Sequence, residues 1–224
     1  MTPVAGSFLS LLGAEDRVAL DAVGRHRGYR RGSFLLRSGE RSDHVFVIHQ
    51  GRVKIVATTA AGQELLLAER GPGELLGELA ALTADSAPRS ASMVALAPVE
   101  AQVLPGSEFL AFLERRPKVL MFVVRQLMER LRDADRRRIE FGSQPTMGRV
   151  AGYLAEMAER DGRPGPEGIA ITTSLSQEEL AGYIVASRES VSRALTTLRR
   201  EGLITTGRRR IVVHDLPGLL AYRA

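Results

Sequence analysis

Cysteine is absent from this 224-residue chain, which excludes disulfides, thiolate zinc sites, iron–sulfur clusters and catalytic thiols together. The same absence points to a cytoplasmic protein. No apolar run approaches the ~18–20 residues that a bilayer span needs. The opening stretch MTPVAGSFLSLLGAEDRVAL has no basic segment ahead of its short apolar patch, so no membrane helix or export signal is expected. Internal repeats and low-complexity segments are also missing. Histidine is sparse, and His26, His44, His49 and His214 lack the clustered spacing of a cupin-type metalloenzyme, the remote alternative for a β-roll. Each reads as an ordinary surface or core residue, and no metal site is expected. No hydroxyl has a histidine partner in sequence context and no nucleotide-hydrolysis loop is present, so the chain is not expected to be an enzyme.

What is there is ordinary globular material, 44% hydrophobic and 25% charged, long enough for two domains. Its charge is unevenly placed. Residues 1–115 carry 12 Lys and Arg against 13 Asp and Glu, net −1, whereas residues 116–224 carry 19 against 13, net +6. The second half is the one suited to a polyanion.

From Arg30 to about Leu104, short β-rich runs alternate with glycine-containing turns, as in HVFVIHQG, RVKIVATTAAG and ASMVALAPVEAQVL. This rhythm predicts an antiparallel roll or barrel. A helical pattern follows from Pro117 to about Phe141. Leu120, Val124, Leu127, Leu131, Ala134, Arg138 and Phe141 recur there at alternating steps of four and three, the spacing of a coiled-coil seam, with Arg138 a defect in it. A parallel homodimer is the expectation, and one amphipathic helix packed on its own roll is the alternative. GSQP at 142–145 then breaks the helix and marks a boundary. The expected organisation is α+β: a β-roll over 1–116, a long helix over 117–142 and a third region over 143–224.

The segment LSQEELAGYIVASRESVSRALTTLRREGLI, residues 175–204, is the most specific signal in the chain. Ser176 and Glu179 form a capping box that opens one short helix. Ser187 opens a second, whose Val191, Ala194, Leu195 and Leu198 share one apolar face. Two short helices a few residues apart make a helix-turn-helix. Its second helix enters the major groove of double-stranded DNA by its N-terminus, where Arg188, Glu189, Ser192 and Arg193 stand beside the capping Ser187. Arginine can pair with guanine O6 and N7, and a carboxylate can accept from cytosine N4. LITTGRRRIVVHD then reads as two strands joined by a basic turn, a wing whose Arg208, Arg209 and Arg210 suit phosphates.

SRESVSR at 187–193 and GEL…PRSA at 77–91 resemble the Crp/Fnr family of bacterial transcription regulators over nearly the whole chain. The resemblance implies a jelly-roll-type cyclic-nucleotide domain, a dimerisation helix and a winged helix-turn-helix. It also implies RNA polymerase as a partner and TGTGA-like half-sites read by Arg188, Glu189 and Arg193. The family's turn between the two short helices usually carries glycine; Val185 stands there, so a turn built differently is expected.

The resemblance further makes GELLGELAALTADSAPRSAS, residues 73–92, a phosphate-binding cassette. Gly77, Glu78, Leu79, Arg89 and Ser90 would grip a cyclic ribose phosphate. The chemistry is coherent by itself, because a carboxylate accepts from a ribose hydroxyl and a guanidinium neutralises phosphate through paired N–H donors. On the residues alone, a direct Glu78–Arg89 ion pair across the loop is the competing expectation. The family's base-binding Thr-Ser pair aligns with Ala134 and Asp135. Asp135, an acceptor, suits guanine, or it pairs with Arg138 three residues on. The effector is therefore left as cGMP, as cAMP held by its ribose phosphate, as another small molecule, or as none at all.

Overall fold

The computed structural model describes residues 6–58, 64–83, 88–172, 176–207 and 210–222, and the backbone but not the side chains of 137, 138, 140 and 141. The chain divides into two compact units, Met1–Arg132 and Asp133–Ala224. Among the described residues no helix is long and apolar enough to cross a membrane.

The first unit runs α1 (Phe8–Leu11), α2 (Ala14–Asp21), β1 (Arg25–Tyr29), β2 (Phe34–Leu36), β3 (Val45–Gln50), β4 (Val53–Thr58), β5 (Glu64–Arg70) and β6 (Leu75–Leu76). It continues with α3 (Glu78–Leu82), β7 (Ser92–Ala95), β8 (Val99–Leu104), α4 (Gly106–Glu114) and the start of α5 (Pro117–Ser143). Two antiparallel four-stranded sheets form, ordered β1-β8-β3-β6 and β2-β7-β4-β5. The period-two alternation of side chains explains how β3 serves both its faces. Phe46 and Ile48 enter a cluster with Leu36, Val53, Met93 and Ala95 between the sheets. Val45 and Val47 point the other way, into a cluster with Phe8, Leu20, Phe109, Phe112, Val119 and Val123 from the helices. Each fully buried side chain of this size is worth roughly 1.5–3 kcal/mol, and β6 and β8 join β3 in fastening the sheet to the helical layer, with Leu75 and Leu104 in the helical cluster and Leu76 and Ala101 in the inter-sheet one.

Pro117 starts α5, where its missing N–H is no loss. The helix outlasts the expected end near Phe141. Ser143 is its final residue, and its hydroxyl donates back to the Ile139 carbonyl at 2.9 Å. Pro145, which disfavours helical backbone at Gln144, ends it rather than Gly142. The expected apolar seam divides in two. Leu120 and Leu127 pack against the helical core of the unit, while Met121, Val124, Met128 and Leu131 form an exposed apolar line.

The second unit continues with α6 (Thr146–Asp161), β9 (Arg163–Gly165), β10 (Gly168–Thr172), α7 (Gln177–Tyr183), α8 (Arg188–Arg200), β11 (Ile204–Gly207), β12 (Arg210–Val213) and α9 (Leu216–Ala221). Its four strands pair antiparallel in the order β11-β12-β10-β9. Val150, Leu154 and Met157 of α6 meet Leu180 and Ile184 around α7, Val191, Leu195 and Leu198 of α8, and Leu219 of α9 in one core. The fold is thus α+β, as the patterning requires.

Candidate functional site

In the first unit, β6 delivers the chain to Gly77, whose φ of +79° lies in the left-handed region open to glycine at little cost. A Cβ there would meet the His44 carbonyl oxygen at 2.8 Å and Arg89 Nη1 at 3.2 Å. Helix α3 begins immediately with Glu78. Arg89 arrives from the far side of residues 84–87, which lie outside the described residues.

The Arg89 side chain is only 6% exposed. Its Nε donates to Ser42 Oγ at 3.1 Å, Nη1 to the Gly77 carbonyl at 2.8 Å and Nη2 to the His44 carbonyl at 2.5 Å. Every partner is neutral. Among the described residues it makes no ion pair. Burial pushes its pKa below the usual arginine range, opposed by the more distant carboxylates of Asp43, Glu78 and Glu40. A guanidinium carries five N–H groups and three are engaged; one remains on each terminal nitrogen.

Glu78 is 3% exposed and does not form the direct pair with Arg89 that the bare residues allow. It accepts instead from Arg130 Nη1 at 2.7 Å, and Arg130 Nη2 donates to the Leu75 carbonyl at 2.7 Å. The sequence reading missed Arg130 because one of its partners is a backbone carbonyl and both lie more than fifty residues back. Leu79 and Ser90 are exposed beside this pair of buried charges. Ser92, which closes the sequence segment, is buried and accepts from the Ser38 N–H at 2.9 Å. Ala134 and Asp135 lie on α5 within the second unit, both exposed. The nearest described ion pair on that stretch joins Arg136 to Asp133 at 2.7 Å. The Asp135–Arg138 pairing falls on a side chain outside the described residues.

The second unit places its DNA candidates on two adjoining elements. Helix α7 opens with the complete capping box of Ser176 and Glu179. Helix α8 opens with Ser187, whose hydroxyl accepts from the Ser190 N–H at 3.1 Å. Arg188, Glu189 and Arg193 are exposed and Ser192 is half-buried. Arg193 Nη1 donates to Glu189 Oε1 at 3.1 Å and Nη2 to Ser190 Oγ at 3.2 Å. Strands β11 and β12 form the wing. Arg210 is exposed at its edge, and Arg208 and Arg209 lie outside the described residues. Arg199, which the sequence reading left out, reaches from α8 to Thr206 Oγ1 on β11 at 3.3 Å, joining recognition helix and wing.

The expectation of a differently built turn is corrected. Val185 takes φ +52°, alone among the described non-glycine residues in that region, so the left-handed turn is kept without the glycine. Arg149 on α6 supports it, donating from Nη1 to the Ile184 and Val185 carbonyls at 2.8 and 3.0 Å. The Ala186 N–H also closes back onto the Ala181 carbonyl at 2.9 Å.

A jelly-roll unit with a buried, carboxylate-free arginine and a winged helix-turn-helix unit together define a class of DNA-binding regulators. Two family profiles match, "Cyclic nucleotide-binding domain" over residues 26–116 and "Crp-like helix-turn-helix domain" over residues 148–222. The chain belongs to the CRP/FNR family of transcription regulators. It is 30% identical over 187 residues to the CRP-like cAMP-activated global transcriptional regulator of Mycobacterium tuberculosis, covering 84% of this chain and 83% of that one. With the cyclic AMP receptor protein of Thermus thermophilus the identity is 32% over 200 residues, covering 89% and 88%. A solved CRP-family transcriptional regulator from Thermus thermophilus superposes with a TM-score of 0.73 at 26% identity, covering 88% of this chain and 96% of that one. The c-di-GMP-responsive global regulator of Xanthomonas campestris shares the fold at a TM-score of 0.81 and 22% identity, covering 91% and 100%.

Proposed function

We propose that this transcription regulator is controlled by a cyclic nucleotide held in the first unit, chiefly through its ribose phosphate. The observation that carries the reading is Arg89, a buried cation with neutral hydrogen-bond partners. An unpaired buried charge is costly, and an anionic phosphate taking the two spare N–H groups would remove that cost with the strongest class of hydrogen bond. Glu78 is fixed by Arg130 through Oε1, and its carboxylate retains capacity to accept from a ribose hydroxyl. Gly77, Leu79 and Ser90 would form the rest of the cradle. Asp135 would favour a guanine base if it meets one, while the two 30–32% relatives are named for cAMP.

The regulator would act as a homodimer, with the exposed line Met121, Val124, Met128 and Leu131 as its apolar contact. Two copies of α8 would then enter successive major grooves of a palindromic site. Arg188, Glu189 and Arg193 would read base edges, Ser187 and Ser192 would support them, and Arg208, Arg209 and Arg210 would hold phosphates. The effector can shift that arrangement only by its difference in affinity for two states. RNA polymerase is the further partner proposed.

A second reading rests on the same geometry. Glu78 and Arg89 already have partners without a ligand, as an effector-independent regulator requires. Calorimetric titration with cAMP and separately with cGMP, each repeated on Arg89→Ala, decides between them. Binding that disappears in the variant supports nucleotide control. No heat from either nucleotide with the unaltered protein favours the second reading.

A further inference from the structure

Three side chains that are far from any recognisable spacing converge at one end of the roll. Asp21 is the last residue of α2, His26 lies on β1 and His49 on β3. One ligand atom from each lies within 4.8 Å of the others. The central strand β8 runs between the two histidine strands, with Gln102 paired to His26 on one side and to Val47 on the other. The ladder between β3 and β8 shifts register between Ile48 and Gln50. His49 is the residue at that irregularity, a place where bulges characteristically re-aim a side chain. Its ring meets that of His26 at a centroid distance of 4.8 Å, tilted by 50°.

The polar groups around this cluster are incompletely satisfied. Among the described residues, His49 Nε2 and Gln102 Oε1 are buried and neither has a hydrogen-bond partner. Gln102 spends its amide N–H groups on the Leu20 and Val23 carbonyls, at 2.7 and 2.5 Å.

We propose that Asp21, His26 and His49 form a binding site for a divalent transition metal ion of the zinc class. Two imidazoles and a carboxylate are a borderline-soft donor set that suits zinc and its neighbours rather than magnesium or calcium. Around a tetrahedral zinc the ligand atoms stand about 3.3 Å apart, so the cluster must tighten. Asp21 and His26 are both exposed and free to rotate inward onto the more buried His49. Gln102 Oε1 supplies an acceptor for the second ring N–H of a ligating histidine, the usual outer partner of such ligands. The bound ion would tie the end of α2 to two strands of the sheet and leave one coordination position open. It is separate from the cassette at Arg89 and does not depend on the nucleotide reading.

The test is calorimetric titration of the metal-stripped full chain with zinc chloride, paired with visible absorption after loading with cobalt(II). One ion per chain and tetrahedral cobalt bands are expected, with affinity at least tenfold weaker and the bands lost in His26→Asn and in Asp21→Asn. Both substitutions are on exposed side chains, and circular dichroism checks that each variant keeps the fold. Absence of stoichiometric uptake, or uptake that both variants leave unchanged, overturns the proposal.

Discussion

Arg130 and Glu78, fifty-two positions apart, meet at 2.7 Å in a pair whose carboxylate side chain is only 5% exposed. The contact fastens α5 to the first turn of α3. Removing one member of a buried pair costs more than the pair contributes, because it strands the other charge. Arg130→Met is therefore expected to destabilise the first unit by about 3 kcal/mol, read as a lower midpoint in urea. Arg130→Lys should recover part of that loss, since it restores the charge without the second bond to Leu75. A midpoint unchanged in Arg130→Met would show that the pair holds nothing in place.

Gly77→Ala tests the cradle directly. The added Cβ meets the His44 carbonyl oxygen at 2.8 Å in a left-handed backbone. The chain must move just where Arg89 is anchored. Nucleotide affinity, followed by calorimetry, is expected to fall at least tenfold, while DNA binding by the second unit's residues in the absence of effector should be retained.

Val185→Gly is expected to stabilise the second unit by about 1 kcal/mol, because glycine takes the left-handed turn without the cost a β-branched residue incurs there. The gain is net of glycine's greater freedom when unfolded. Thermal denaturation checks it, and a lowered melting temperature would show that the half-exposed Val185 side chain contributes more than its backbone strain costs.

At the DNA surface the two kinds of arginine should behave differently. Arg193→Ala is expected to cost about 1–3 kcal/mol against the preferred half-site and to relax preference at one base pair. Arg210→Ala should weaken binding to all sequences alike and lower the salt-dependence slope by about one. Fluorescence anisotropy across a salt series, on matched and scrambled duplexes, separates them.

The legibility of this chain follows the range of its interactions. The caps at Ser176 and Ser187 were readable because donor and acceptor lie three residues apart. The roll was readable from turn spacing alone. Arg130 was not, since helical periodicity says which residues face inward but not which carbonyl waits there. The end of α5 at Ser143 falls inside the GSQP run that marked it, where Pro145 acts on its predecessor. Val185 defeated the local rule because Arg149, thirty-six residues earlier, binds the turn's carbonyls. The Asp21, His26 and His49 cluster is created by strand pairing across β8 and has no sequence spacing to show.

Strand β3 belongs to both hydrophobic layers of its unit, with Val45 and Val47 on one side and Phe46 and Ile48 on the other. Neither face can be wetted without opening a core. The amide protons of Val45 to Ile48 are therefore expected to exchange with deuterium only through loss of the whole unit, the slowest class in the roll. A helix end can fray independently of it, but the two sheet layers cannot.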